Sequence, residues 1–389
     1  MSIQSHNSRD GKTDDRRMRE SGIELLKIAA IFLIVINHVV QTLCSENDYV
    51  PYQDYVLNLD TATTNAQYFV LMLFRHFGAL GNTIFFVSSA WFLLHSTRFK
   101  KKKWLFLLLD VWVLSVVILT VFYCMTGGKI AGTVVIKSVF PTLFANNWYL
   151  TCYLLFYPIH PLLNRLIMQM SKRSLFRISA VMFTLYCGVN FIRDDLFFPS
   201  TIILWITLYF VMAYIQLYCT DFCQNMKKNG LLLLLGLAGY VGLMAMTDFL
   251  GLRSSLFRDR MLYGVTNCNP FLILMAIAML NIARRAHFKS AFVNYIASLS
   301  LLIYLIHENI ILRLYFRPQL LQYIYTTFGY DNILLWVLVA ALFVFVFGLL
   351  CSLLYDKTLR ILVQKMSGLL YPVIRKALLR IENAVLWLQ

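Results

Sequence analysis

Acidic side chains are scarce in this chain: Asp and Glu number 19 against 35 Lys and Arg, and all four types make up only 14% of 389 residues. Soluble domains carry about a quarter of their residues as charges, so an ordinary water-exposed surface is excluded. Paired metal-binding cysteines are missing as well. The eight cysteines, at 44, 124, 152, 187, 219, 223, 268 and 351, fall mostly inside apolar runs and show none of the C-x-x-C spacing of a zinc site. They read as small apolar filler, and the one disulfide the expected topology leaves open is Cys44 to Cys268. Long linkers, Gly/Ser-rich tracts and internal repeats are also absent, which excludes a separate soluble domain and a solenoid. No small-residue A-x-A cleavage site follows the first apolar run, so that run reads as a retained signal anchor rather than a cleaved signal peptide.

Apolar residues are abundant instead. The chain is 59% hydrophobic and 15% aromatic, with a mean hydropathy of +0.67. Stretches of spanning length, about 20 residues, occur near 23–43, 79–97, 104–125, 147–164, 175–192, 200–219, 230–248, 262–282, 291–312 and 332–355. The fold class expected is therefore all-α, a polytopic membrane protein of about ten transmembrane helices. The net charge of +16 comes from short Lys/Arg clusters between apolar runs, the arrangement that orients membrane proteins, and not from a basic surface for nucleic acid. The larger clusters, such as "RFKKKK" at 98–103, fall on one side when both termini are placed in the cytoplasm. The expected organisation is a disordered cytoplasmic tail over 1–20, one membrane domain over 21–356, and a basic amphipathic tail over 357–389. Gly236, Gly239 and Gly242 are expected to serve close helix packing.

Ionisable groups inside a bilayer are costly, so each needs a reason. The first span, "GIELLKIAAIFLIVINHVV", carries Glu24, Lys27 and His38. Lys27 and His38 are eleven residues apart, three helical turns plus about 20°, and so share one face at heights differing by about 16 Å. Ile31 and Ile34 lie between them on that face. The ninth span, "YIASLSLLIYLIHENIIL", runs in the same direction and puts His307 at nearly the depth of His38, which suggests one pocket. Arg75 and His76, and Asn146, Asn147, Trp148 and Tyr153, end near that level. At the opposite end lie Lys27 and the basic run at 98–103, with Asp110 just inside the third span. Each group also has a plain reading: Lys27 snorkels to the interface, Glu24 pairs with it at i,i+3, "RFKKKK" is a topology signal, and Trp148 with Tyr149 anchors an aromatic belt. A membrane-embedded set of Lys, His and acid also fits the proton relay of a transporter, but the inverted repeats and broken helices in corresponding halves that would favour one are not visible.

Five segments in order resemble the acyltransferase 3 family of integral membrane acyltransferases, which includes bacterial polysaccharide O-acetyltransferases. "GIELLK" and "INH" supply the opening basic residue and the His eleven positions later, Lys27 and His38. "LFRHFGALGNTIFFVSSAWFLL" resembles the second segment. Lys100 and Lys103, or the cluster from Arg98, correspond to a basic pair after the second helix. "WYLTCYLLFYPIHPLLN" and "SLSLLIYLIH" match the fourth and fifth. The chain departs from the pattern with Lys for the commoner Arg in two motifs, "SSAW" for "SGF" or "SGY", and no fused esterase-like domain. The resemblance implies transfer of an acyl group, usually acetyl from cytoplasmic acetyl-CoA, to a hydroxyl of an extracytoplasmic or lipid-linked glycan at the membrane of a bacterial cell. It implies His38 as base or transient acyl carrier, with Lys27 on the same helix face; His307 is placed beside them at the catalytic site by its depth, and the resemblance assigns it no role of its own. It further implies Arg98, Lys100 and Lys103 as binders of the CoA phosphates, and Arg75, Trp148 and Tyr153 as acceptor-side or oxyanion contacts, with no metal.

Overall fold

The computed structural model describes residues 20–44, 66–96, 98–189, 191, 201–251, 253–254, 257, 267–329 and 331–387. The expected disordered tail falls almost wholly outside them. Every regular element among the described residues is helical. In chain order these are α1 (Ser21–Leu43), α2 (Ala66–Leu93), α3 (Lys101–Met125), α4 (Gly132–Val139), α5 (Trp148–Gln169), α6 (Lys172–Phe183) with a π-turn (Thr184–Val189), and α7 (Thr201–Tyr218). They continue with α8 (Thr220–Gln224), α9 (Met226–Gly251), α10 (Pro270–Arg284), α11 (Ala291–Ser298) and α12 (Ser300–His307). A second π-turn (Leu312–Phe316) then leads to α13 (Arg317–Phe328), α14 (Ile333–Lys357) and α15 (Leu359–Trp387).

Each of the ten apolar stretches contains helix, but only six described helices are long and apolar enough to cross a membrane, or up to seven if one bent pair counts as a span. Among the described residues the second helix runs from Ala66, well before the expected 79, because Arg75 and His76 lower its hydropathy without interrupting its backbone. The eighth stretch is the short α10, 15 residues from Pro270. The ninth is broken after His307, and the two pieces, Ala291–His307 and Leu312–Phe328, meet at 67°. It is the one such pair found among the described residues. Asn309 explains the restart: its Oδ1 accepts the Ile311 N–H at 3.0 Å, an N-cap two residues beyond the histidine.

α5 shows how polar side chains repair a helix in an apolar setting. Pro158 and Pro161 have no N–H to give the carbonyls four residues earlier, those of Leu154 and Tyr157. Trp104 Nε1 donates to the Leu154 carbonyl at 2.8 Å, pinning α5 to α3, and the His160 ring nitrogen bonds the Tyr157 carbonyl. His160 is thus a structural histidine.

α1 runs through the centre, packed against α2, α10, α11, α12, α13 and α14. Its first turn is fixed by Ser21, whose Oγ donates to Asn294 Oδ1 at 2.9 Å and accepts the Ser290 N–H at 2.8 Å. The Gly-Ile-Glu opening has a packing cause, since a Cβ at Gly22 would lie 2.0 Å from the Ala283 carbonyl oxygen. Against α2 the approach is equally close: a Cβ at Gly78 would meet Asn37 Cγ at 2.5 Å, and one at Gly81 the Ala30 oxygen at 2.5 Å. Gly236 and Gly239 likewise admit Met275 and Phe271 of α10. Gly242 does not serve packing as expected, for nothing lies within 4 Å of its Cβ position; six residues beyond Gly236 it sits about 120° from it around the helix, away from that seam. Cys44 and Cys268 are free thiols, as are the other six cysteines.

Asp110, just inside the third span, ties helices together. It is buried on α3, accepts the Tyr355 hydroxyl at 2.8 Å and meets Arg360 Nε at 3.4 Å. Arg360 also holds Asp356 at 2.8 Å, so this cluster fastens the start of α15 to α3 and α14.

Candidate functional site

The first component is a buried cluster where α1 meets the break after α12. His38 and His307 are in contact, Nδ1 to Nε2 at 3.0 Å, with ring centroids 5.2 Å apart. The Nδ1 of His38 also lies 3.1 Å from Glu308 Oε1. That same oxygen accepts from Arg317 Nη1 at 2.8 Å, while Arg313 approaches the other carboxylate oxygen at 3.8 Å. Asn37, beside His38, accepts from Arg75 Nη1 at 3.3 Å.

The network assigns the proton positions. His307 Nδ1 lies 2.8 Å from the Ile303 carbonyl oxygen, which can only accept, so Nδ1 carries the hydrogen and Nε2 of a neutral ring is an acceptor. His38 must then donate from Nδ1, sharing its hydrogen between His307 Nε2 and Glu308 Oε1. None of these bonds uses His38 Nε2, which keeps its lone pair. The arrangement is that of a histidine oriented through one nitrogen to act with the other.

Three of these groups, His38, His307 and Glu308, place one donor atom each within 4.8 Å of one another, close enough to hold a metal ion. The chemistry of the set favours hydrogen bonding instead: the one anionic donor already accepts a guanidinium, and a second guanidinium lies beside it, so a divalent cation would enter against two positive charges.

The second component is a cavity of about 690 Å³, within the range of small-ligand sites. Glu24, Lys27, Lys103, Asn294 and Tyr295 line it toward the start of α1, and Ile34, Tyr149 and Tyr304 toward the His38 end. Ile34 is one helical turn before His38, and Tyr304 one turn before Glu308. Lys27 pairs with Glu24 at 3.2 Å, as the i,i+3 spacing indicated, and both face the cavity. The cavity therefore holds two ammonium groups, one of them paired with the Glu24 carboxylate, and reaches Ile34 and Tyr304, one turn short of His38 and Glu308.

Of the residues expected at the site, Lys27, Lys103 and Tyr153 line the cavity, and His38 meets His307. Arg98 and Lys100 are exposed and are not among the lining residues. They belong to the irregular connection before α3 and not to the helix face on which Lys103 meets the cavity. Arg75 reaches the cluster through Asn37. Trp148 stacks edge-on to Tyr149 at 5.7 Å, and it is Tyr149, turned by about 100° on the helix, that faces the cavity. Sequence reasoning missed Glu308 and Arg317. Glu308 is adjacent to a site histidine and was legible as an acid in an apolar run. Arg317, nine residues further, would lie on the opposite side of a straight helix and carried no signal.

In comparisons with known proteins, the acyltransferase 3 family model, described as an acyltransferase domain, matches residues 20–357. No curated protein matched the chain, nor did any solved structure. The matched segment opens one residue before α1, closes at the end of α14, and holds both the histidine cluster and the cavity.

Proposed function

Because the chain belongs to the acyltransferase 3 family, we propose that it transfers an acyl group, acetyl in the simplest case, from cytoplasmic acyl-CoA to a hydroxyl of an extracytoplasmic or lipid-linked glycan. The observation that carries this reading is the cavity leading from Lys27 and Lys103 to within one turn of His38. Its two lysines against the one Glu24 carboxylate leave a net positive charge that suits the phosphates of CoA, to which lysine offers charge without bidentate geometry. The distribution of Lys and Arg supports both termini, and with them this end of the cavity, on the cytoplasmic side. The pantetheine arm would follow the Lys27 to Ile34 line and bring the thioester beneath His38.

The glycan approaches His38 from the opposite side, where Arg75 and Asn37 stand. His38 Nε2 takes the proton from its hydroxyl, the oxygen attacks the thioester carbonyl carbon, and the C–S bond breaks. The departing CoA thiolate takes the proton back from Nε2. Tyr153, on the cavity wall, is the expected aromatic donor available to the developing oxyanion. Buried glutamate and arginine in a bilayer have a place here as supports of the base.

One observation favours a second reading: a helix pair broken at a histidine-acid cluster is also how transporters build proton-linked sites. The experiment separating the two compares the O-acyl content of cell-surface glycans with and without the gene, and with His38→Ala in its place. Loss of O-acyl groups in both the deletion and the variant is the expected result. Unchanged O-acylation, with purified protein that consumes no acetyl-CoA, would overturn the proposal in favour of transport.

A further inference from the structure

We infer that Glu308 is the positioning residue of His38: its carboxylate fixes the His38 ring with Nε2 unprotonated and offsets the positive charge that ring gains when it takes the hydroxyl proton. This rests on the acyl-transfer reading above and gives a role to the residue that directly follows the "SLSLLIYLIH" segment.

Four observations converge. Glu308 Oε1 lies 3.1 Å from His38 Nδ1, the nitrogen turned away from proton transfer. The Glu308 side chain is 7% exposed, so its charge is little screened by water. Arg317, 3% exposed, donates to the same oxygen at 2.8 Å and holds the carboxylate in place. Finally, the backbone is broken at this residue: α12 ends at His307 and Asn309 caps a new helical start.

The charges require an acid here. Around Nδ1 stand His307 Nε2, Glu308, Arg317 and, on the other carboxylate oxygen, Arg313. His307 accepts a hydrogen bond but, neutral, contributes no negative charge. With His38 protonated, the described cluster would hold an imidazolium near three guanidiniums, Arg317 and Arg313 on the carboxylate and Arg75 on the neighbouring Asn37, and Glu308 is its one anion. Uncompensated buried charge is what a proton-transfer step must avoid. An oriented histidine with a carboxylate behind it is the solution that hydrolytic triads reach on unrelated folds. The proton balance is unchanged from the acyl-transfer step: Nε2 gains and returns one proton, and Nδ1 keeps its own throughout.

The test uses the full chain reconstituted in vesicles, with acetyl-CoA and a chemically de-O-acetylated polysaccharide preparation as probes. Glu308→Gln keeps the volume and an acceptor oxygen but removes the charge. It should lower kcat by about a hundredfold or more with KM for acetyl-CoA within about twofold, whereas Glu308→Asp should retain part of the rate. Where the unpaired Arg317 destabilises the single variant, Glu308→Gln/Arg317→Met removes both charges and should show the same kcat loss in stably folded protein. In a His38→Ala background, Glu308→Gln should cost no further activity, because a residue acting only through His38 has nothing left to position. Wild-type turnover with an undiminished kcat for the folded Glu308→Gln variants, or full additivity with His38→Ala, would overturn this inference and leave the acyl-transfer reading standing. Absence of transfer by the wild-type chain would overturn both.

Discussion

Arg317→Met is the most informative stability perturbation in the molecule. Arg317 and Glu308 form a 2.8 Å ion pair with 3% and 5% exposure. Two unit charges about 4 Å apart attract by about 4 kcal/mol at an effective dielectric of 20. Removal of one partner from such a buried pair costs about 3–5 kcal/mol, mostly because the other charge is left without compensation. Two groups could soften the loss. Arg313 stands 3.8 Å from the second carboxylate oxygen but is 37% exposed, so its attraction is partly screened and worth about 1 kcal/mol or less. The His38 Nδ1–H remains as a hydrogen bond to a charged acceptor, but it is already present in the wild type and adds nothing new. A net loss of about 3–4 kcal/mol is therefore expected. At about 2 cal/mol/K of unfolding entropy per residue, this corresponds to a fall in Tm of about 5 °C for a chain this long, and more where helices persist in the unfolded state. The assay is thermal unfolding in detergent, followed by near-UV circular dichroism or by the solvent exposure of the eight thiols. Arg317→Met/Glu308→Gln should recover most of the lost stability, since two matched neutral groups replace two charges. A single variant as stable as wild type, or a double variant no better than the single, would refute the argument that this pair is buried and mutually dependent.

Two further outcomes are expected. Lys103→Gln should raise the apparent KM for acetyl-CoA severalfold in steady-state assays and flatten its salt dependence, while Arg98→Gln, away from the cavity, should change KM little; equal effects would mean that the run acts as a diffuse field rather than through the cavity mouth. Gly81→Val should destabilise by about 1–3 kcal/mol or more through overpacking of α1 against α2, measured as a fall in detergent Tm, with Gly242→Ala as a neutral counterpart because its Cβ position is open.

The membrane class was legible because composition is insensitive to how the chain folds: scarce charge and repeated apolar runs leave helices as the means of satisfying the backbone. The shared face of Lys27 and His38 was legible for a related reason. Within one regular helix the spacing of two residues sets their angle and rise, so eleven residues sufficed. The common depth of His38 and His307 followed from two spans of the same direction. Boundaries were less legible where polar side chains are paired inside the bundle. Arg75 and His76 depress hydropathy but not helicity, and the prolines of α5 are repaired by Trp104 and His160 from outside the proline positions themselves. Among the basic residues near α3, spacing alone did not separate Lys103, at the cavity, from Arg98 and Lys100, on the surface, because the start of the helix decides which of them share its inward face.

The local chemistry of this protein is thus written in its sequence: helices that cross an apolar medium, a lysine and a histidine aligned on one of them, and a second histidine at matching height. The relation of that histidine pair to Glu308 and Arg317 is not. Nine residues of straight helix would place those two side chains on opposite faces, about 13 Å apart along the axis. The 67° bend, the cap at Asn309 and the π-turn that follows bring them to 2.8 Å. A bend of that kind is stable only when other helices bury its freed polar groups and satisfy them, which is a property of the assembled bundle and of no single segment.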